Sequence, residues 1–369
     1  MSGTIVMVHG VGGTADTWSR LAPAFRDMGW RVETPTLRAD KRLAENPPAD
    51  LPAIRLRDYI DEIEALVATL EAETGLAPVL FGHSMGGLIV QKLLERGAGR
   101  AGVLITPASP ADARGPRAAA QALTFANILL SGDIGARSHK IWRWGFSWGV
   151  LNRVPRAKHA GIFAGTVYDS GGVYEDIAYP DRDPERSAHV DETRITAPIL
   201  TLGGARDRAV PISDVRLAAE KYSRIGGDYL EYPDHGHWIV DEPGTDRVIG
   251  DIATWLASKR ITPDASATPA VKPAAKTRAA PRSKAAEKPV AAQTTPAPAP
   301  SAPRPAKAKA PGKAATSPKA RPAVAKAATP AKAKAGPAAP KVKSTSPKSK
   351  PAAKMSSGAK PRVRKPKST

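Results

Sequence analysis

One turn of the sequence constrains the fold more than any other feature. The apolar residues 78–81 indicate a buried strand, and they run directly into Gly-His-Ser-Met-Gly-Gly at 82–87. Residues 88–96 then have the composition of a helix. A serine between a strand and a helix lies in a tight, strained turn, and flanking glycines let the backbone pass without side-chain clashes. We therefore expect Ser84 to stand above the edge of a sheet, facing the positive end of the next helix.

Segments typical of strands and helices alternate along residues 1–260. Six short segments are predicted strands: 5–8, 31–35, 78–81, 102–105, 199–202 and 229–232. Residues 56–74 carry apolar side chains at helical spacing, Ile60, Ile63 and Val67 among them, and Gly75 favours an end there. Further helices are predicted over 17–28 and 246–259. This alternation predicts an α/β fold, a mostly parallel sheet of about six strands with helices on both faces.

Ser84 needs a base, because a serine hydroxyl is a weak nucleophile until its proton is removed. The sequence His-Gly-His-Trp at 235–238 follows the last predicted strand, where a loop can return to the C-terminal edge of the sheet. We favour His237, since the glycine before it frees the backbone and the tryptophan after it can pack beneath it. His235 is the nearest alternative and His9 a more distant one. Both loop histidines could also be surface residues with no part in the chemistry.

The base in turn needs an acceptor that holds its tautomer and stabilises the imidazolium. A turn of small residues follows the predicted strand 199–202 and leads to Asp207. This position lies at the same sheet edge as Ser84, so we predict that Asp207 is the third catalytic residue. Asp112, which follows the preceding strand, is the alternative acid. Asp207 could also be a solvated loop residue beside two arginines.

An oxyanion formed during acyl transfer needs two backbone N–H donors. We expect the first from Met85, at the start of the helix after Ser84. The second is expected from the loop His-Gly-Val-Gly-Gly at 9–13, where we choose Val11. His9 then shapes this loop and does not take part in the chemistry.

Together these motifs resemble those of the α/β-hydrolase fold family. Residues 9–13 resemble its oxyanion loop, 82–87 its nucleophile elbow, 204–207 its acid turn and 236–238 its histidine loop, in the family's order. The resemblance covers residues 4–258 and is closest to the esterase, lipase and lysophospholipase group. It implies a serine hydrolase that cleaves carboxylic esters. Because the strand before the oxyanion loop begins at residue 4, the two strands that usually precede it are expected to be absent.

Residues 107–196 show no strand pattern and are predicted to be a helical insertion between two sheet strands. They fall where the resembled family carries its cap, and they include Trp142, Trp144, Phe146 and Trp148. In such caps, aromatic side chains cover the acyl side of the pocket, which implies a substrate with an apolar acyl group. The alternative is that these aromatic residues only attach the insertion to the core.

Residues 261–369 differ sharply in composition from the rest of the chain. They contain 25 Lys and Arg against 2 Asp and Glu, a net charge of +23, whereas residues 1–260 have a net charge of −3. This segment has 20 of the 36 prolines and no aromatic residue, so it cannot bury enough apolar surface to fold. We predict a disordered basic tail, similar in its Ala-Lys-Pro composition to linker-histone tails. The high positive charge of this tail favours binding to nucleic acid or another polyanion. The alternative is that the tail is only a solubilising spacer.

Other features narrow the class of protein. The chain has no cysteine, which excludes disulfides, thiolate metal sites and cysteine nucleophiles. No apolar stretch is long enough for a signal peptide or a membrane span, so we expect a cytoplasmic protein. No metal-ligand cluster and no phosphate-binding lysine stand out, and no cofactor is expected. The alternative function is a polyanion-binding protein whose hydrolase domain is secondary or degenerate.

Overall fold

The computed structural model describes residues 3–263. The predicted basic tail lies outside this range except for its first three residues. Those three residues belong to the folded part: Ile261 is buried in the core, and the carbonyl of Pro263 accepts a 2.5 Å hydrogen bond from the Gly3 amide. The folded region therefore extends slightly past residue 260, where the composition changes.

Six parallel strands form the main sheet, in the order β2-β1-β3-β4-β7-β8. The strands in chain order are β1 (Thr4–Val8), β2 (Arg31–Glu33), β3 (Val79–His83), β4 (Ala101–Ile105), β5 (Ser138–His139), β6 (Asp169–Ser170), β7 (Ile199–Gly204) and β8 (Asp228–Tyr232). Every residue of β1, β3 and β4 is buried, as expected for central strands with both faces covered. The predicted six-stranded, mostly parallel sheet is thus confirmed.

Helices cover both faces of the sheet. They are α1 (Leu21–Asp27), α2 (Leu56–Thr74), α3 (Met85–Glu95), α4 (Ala119–Thr124), α5 (Ala126–Leu129), α6 (Arg143–Gly145), α7 (Arg156–Ala164), α8 (Gly171–Ala178), α9 (Ile212–Ser223) and α10 (Thr245–Ser258). Side chains of β1 alternate between the two faces: Ile5 and Met7 join the core under α1 and α10, whereas Val6 and Val8 join the core under α2 and α3.

The helix boundaries follow local chemistry. Helix α2 covers the predicted residues and ends at Gly75, which adopts the left-handed conformation (φ 66°) that glycine tolerates best. The predicted helix over 17–28 divides into a 3-10 turn, Ala15–Trp18, and α1. Pro23 lies in the first turn of α1, where its missing N–H costs nothing, whereas a continuous helix would need that donor.

Residues 107–196, which are predicted to be a helical insertion, also contain two short strands. Strands β5 and β6 pair antiparallel, with Ser138 opposite Ser170 and His139 opposite Asp169. Two residues are too few to show alternation in a sequence, so this pair left no pattern to find. No helix within residues 3–263 has the length and apolar content needed to cross a bilayer.

Candidate active site

Ser84 occupies the sharp turn between β3 and α3. Its backbone has φ 55° and ψ −121°, a strained conformation for a residue with a side chain, and its amide donates to the Ile105 carbonyl at 3.1 Å. The turn brings α3 against β1 so closely that a Cβ at Gly86 would collide with the Val8 carbonyl. The Ser84 side chain is therefore held above the sheet edge by the backbone on both sides of it.

His237 and Asp207 form a hydrogen-bonded pair at the same edge. Nδ1–H of His237 donates to Oδ2 of Asp207 at 2.7 Å, and the Asp207 side chain is fully buried. The other carboxylate oxygen, Oδ1, accepts from the amides of Ala209 at 2.7 Å and Val210 at 2.9 Å. Both oxygens of Asp207 are thus fixed, and the pair leaves Nε2 of His237 to face another partner.

Ser84 and His237 line the same narrow cavity, of about 20 Å³, together with residues 10–13. Gly10 lies so close to the serine that an added Cβ would stand 2.8 Å from the Ser84 Cβ and 3.3 Å from its Oγ. The structure therefore brings the three predicted catalytic residues and the oxyanion loop (residues 9–13) to one place.

The backbone amides of Met85 and Val11 have no acceptor among residues 3–263. Met85 is the first residue of α3, so its N–H has no partner inside the helix. In the oxyanion loop, the Gly12 amide donates to Asp169 at 2.8 Å and the Gly13 amide donates to the Gly10 carbonyl at 3.1 Å. The Val11 amide donates to no residue between 3 and 263, and Val11 lines both cavities beside Ser84.

The decisive comparison is with protein families. Residues 5–250 match the model of the alpha/beta hydrolase family. The chain belongs to this family.

Individual relatives agree with this assignment. The hydrolase is 25% identical over 270 residues to the monoacylglycerol lipase of Mycolicibacterium smegmatis, covering 69% of this chain and 88% of that protein. Among solved structures, it resembles a monoacylglycerol lipase from Paleococcus ferrophilus (22% identity, TM-score 0.51, 69% of this chain and 94% of the other). It also resembles an esterase from Exiguobacterium antarcticum (15% identity, TM-score 0.53, 70% and 93% covered). These two structural similarities show that the chain shares the fold of those enzymes.

The alternative site residues make other contacts than those of a catalytic base or acid. Asp112 forms an ion pair with Lys221 of α9 at 2.5 Å, away from His237. His235 packs edge-on against Tyr232, with ring centroids 5.3 Å apart, and burial lowers the pKa of its imidazole. His9 is fully buried: its Nδ1–H donates to the Gly10 carbonyl at 2.9 Å, and its Nε2 accepts from the Leu37 amide at 3.1 Å.

Two further side chains hold the histidine loop, and neither has a role that is predicted from the sequence. Nε2–H of His83 donates to the His237 carbonyl at 2.9 Å, and the Thr106 hydroxyl donates to the same carbonyl at 3.1 Å. Burial lowers the pKa of His83 to about 3, so its ring is neutral at physiological pH and keeps this donor. His83 lies inside the serine motif itself, but its bond to a residue 154 positions later has no local pattern.

Glu242 is a buried carboxyl that the sequence analysis also missed. Its Oε2 accepts from the Gly236 amide at 2.7 Å, directly before His237, and only 1% of the residue is exposed. Burial raises the pKa of Glu242 to about 7, and the nearby charge of Asp207 acts in the same direction. Glu242 therefore titrates near neutral pH beside the candidate site.

A larger cavity, of about 300 Å³, begins at Ser84 and extends beneath the insertion. Its apolar wall comes mainly from two segments of the insertion, one with Phe125, Ile128 and Leu129 and the other with Tyr174 and Ile177. Arg114 and Asp214 also line it, and Arg114 donates to the carbonyls of Ser109 and Ile177. The cavity has room for a small apolar group next to the serine.

The tryptophan-rich segment of the insertion divides between two environments. Phe146 is buried, packs against Trp238 with ring centroids 6.1 Å apart, and lines the narrow cavity with Ser84 and His237. Trp142 and Trp144, in contrast, are 42% and 49% exposed. These two tryptophans do not line the larger cavity, whose lining from the insertion lies within residues 108–134 and 174–180. No three His, Asp or Glu side chains in the described part of the chain are grouped to hold a metal ion.

Proposed function

We propose that this hydrolase cleaves carboxylic esters through an acyl-enzyme on Ser84. The observation that carries the proposal is the Asp207–His237 hydrogen bond of 2.7 Å at the cavity that His237 shares with Ser84. An imidazole whose Nδ1–H is held by a buried carboxylate presents Nε2 as a base. The names of the relatives, monoacylglycerol lipase and esterase, support the same reaction class.

The reaction proceeds in two acyl transfers. The Ser84 hydroxyl attacks the ester carbonyl carbon while its proton passes to Nε2 of His237, and the amides of Val11 and Met85 receive the developing oxyanion. The intermediate expels the alcohol, which takes the proton back from the imidazolium. Water then attacks the acyl-enzyme and loses a proton to His237. The second intermediate breaks its bond to the Ser84 oxygen, which takes that proton back from the imidazolium. The products are the carboxylic acid and free Ser84.

The substrate is proposed to be a small ester with an apolar acyl group. The apolar wall of the 300 Å³ cavity beside Ser84 supports this choice, because burying methylene groups there contributes about 0.8 kcal/mol each. A panel of p-nitrophenyl esters of graded chain length tests it, with a thioester, an anilide and a lactone of matched size. We expect kcat/KM to rise with chain length until the cavity is filled. Faster turnover of the thioester, anilide or lactone than of the best ester would contradict the proposed reaction class.

A second proposal concerns the segment 261–369. Its net charge of +23 supports binding to nucleic acid or another polyanion, because neutralising many phosphates releases condensed counterions. With no aromatic residue in the segment, base stacking cannot contribute, so we expect binding to duplex DNA without sequence preference. Full-length protein should shift duplex DNA at low salt and release it as salt rises, whereas a chain ending at residue 263 should not bind. Failure of the full-length protein to bind DNA at low salt would remove this function.

A further inference from the structure

A buried ion pair lies directly behind the oxyanion loop. Arg42 and Asp169 are 2.9 Å apart, and both side chains are completely inaccessible to solvent. The two residues are 127 positions apart in the chain. Arg42 lies in the loop before α2, and Asp169 is the first residue of β6 in the insertion. An ion pair so deeply buried costs desolvation energy, and well-packed apolar side chains would often be as stable in its place. Its position next to the loop therefore indicates a role beyond stability.

Each carboxylate oxygen of Asp169 accepts two hydrogen bonds. Oδ2 accepts from the Gly12 amide at 2.8 Å and from Arg42 at 2.9 Å. Oδ1 accepts from the Tyr59 hydroxyl at 2.6 Å and from the Ser170 amide at 2.9 Å. Burial and the charge of Asp169 raise the pKa of Tyr59, so the phenol stays protonated and donates. The carboxylate is thus fixed by four donors, one of which belongs to the oxyanion loop.

Val167 and Arg42 hold the carbonyl groups of the oxyanion loop. The Gly12 carbonyl accepts from the Val167 amide at 3.0 Å, and the Gly13 carbonyl accepts from Arg42 at 2.9 Å. Both polar backbone groups of Gly12 and of Gly13 are therefore committed. These bonds fix the peptide planes that follow Val11. The plane that carries the Val11 N–H is held through its carbonyl, that of Gly10, which accepts from the Gly13 amide at 3.1 Å. Val11 itself lines the cavity with Ser84.

We propose that Asp169 and Arg42 are positioning residues, which hold the Val11 amide where it can donate to the oxyanion. The proposal rests on the proposed function, because it assumes that Val11 is an oxyanion donor. It also gives the insertion a part in the chemical step, since β6 supplies the carboxylate. A donor displaced by about 1 Å can cost about 100-fold in rate, and losing one donor costs about 100- to 1,000-fold.

The test is the variant Asp169→Asn, which keeps the shape of the side chain and removes the charge that Arg42 and the Gly12 amide face. We expect kcat on a p-nitrophenyl ester to fall about 30- to 100-fold while KM stays within about twofold, because the ground-state ester does not use the oxyanion donor. Affinity for an alkyl trifluoromethyl ketone, whose adduct with Ser84 carries an oxyanion, should fall in parallel. Affinity for the corresponding trifluoromethyl alcohol, which forms no oxyanion, should not change.

Asp176→Asn is the matched control. Asp176 is another insertion carboxylate whose side chain is fully buried, and it is paired with Arg55 and the Leu56 amide. This variant should lose thermal stability to a similar extent but keep wild-type kcat and ketone affinity. If Asp169→Asn does not fold, Tyr59→Phe removes one donor to the same carboxylate, and we expect a several-fold loss of kcat and of ketone affinity from it.

The outcomes separate the two proposals. A folded Asp169→Asn variant with wild-type kcat and ketone affinity would overturn the positioning role and leave the ester hydrolase intact. Equal losses of kcat in Asp169→Asn and Asp176→Asn would also overturn it, since the effect would then be general destabilisation. A wild-type enzyme that neither cleaves esters nor binds the ketone at Ser84 would instead remove the proposed function, and the positioning role with it.

Discussion

Nδ1 of His237 lies 2.7 Å from Oδ2 of Asp207, and the backbone amides of Ala209 and Val210 hold the other oxygen of that carboxylate. This arrangement fixes both the tautomer and the direction of the imidazole. A catalytic base needs both, because its free nitrogen must face the serine throughout the reaction.

Asp207→Asn should reduce kcat by about 1,000- to 10,000-fold, because an amide at this position stabilises the wrong tautomer of His237 and no longer stabilises the imidazolium. The control is Asp112→Asn, which affects the other candidate acid. Asp112 pairs with Lys221 and lies away from His237, so this variant should keep turnover close to wild type. Steady-state kinetics on a p-nitrophenyl ester measures both. A nearly inactive Asp112→Asn with an active Asp207→Asn would move the acid to the preceding strand.

His237→Ala and His235→Ala should differ by about 1,000-fold or more in turnover, although the two histidines are separated by one residue. Only His237 contacts Asp207 and lines the cavity with Ser84. His235 packs against Tyr232 instead, so His235→Ala should lower the melting temperature and leave kcat within about threefold of wild type. Kinetics and thermal denaturation of the two variants check this. The reverse order of activity would show that the base has been assigned to the wrong ring.

Glu242 should make stability depend on pH in a defined window. Its pKa rises from 4.5 to about 7 on folding, so between these values the folded state keeps a proton that the unfolded chain has lost. The free energy of unfolding then decreases as pH rises through this window, by up to about 3 kcal/mol. Glu242→Gln removes the titration. The melting temperature of Glu242→Gln minus that of wild type should therefore be about 5–10 °C higher at pH 8 than at pH 5.

Glu220→Gln is the control for this measurement, because Glu220 lies exposed on α9 and takes part in no bond near the site. Its difference from wild type should be the same at both pH values. A Glu242→Gln difference that does not change with pH would mean that the carboxyl ionises normally in the folded protein.

The parts of the site that the sequence predicted are those that lie next to strand ends. Ser84 and Met85 follow β3 directly, Asp207 comes three residues after the end of β7, and the loop of His237 follows β8. Local patterns therefore place all of them at one sheet edge. Helix α9 was missed although Val215, Ala218 and Tyr222 are buried at helical spacing.

The parts that could not be predicted depend on contacts between distant segments. Arg42 and Asp169 meet across 127 residues, and the His83 bond to the His237 carbonyl spans 154. In a sequence, each of these side chains looks like an ordinary polar residue of a loop or a motif. Only the folded chain shows that Asp169 faces the oxyanion loop and that Glu242 is enclosed beside the histidine.

The central claim, that Ser84 is the nucleophile, is tested most directly by covalent labelling. Full-length protein is treated with a fluorophosphonate, digested and analysed by mass spectrometry, with Ser84→Ala and His237→Ala treated in parallel. We predict one adduct, on the peptide that contains Ser84, in step with the loss of esterase activity. Ser84→Ala should show no adduct, and His237→Ala should react far more slowly because no base activates the hydroxyl. Labelling of a different serine, or undiminished esterase activity in Ser84→Ala, would contradict the account.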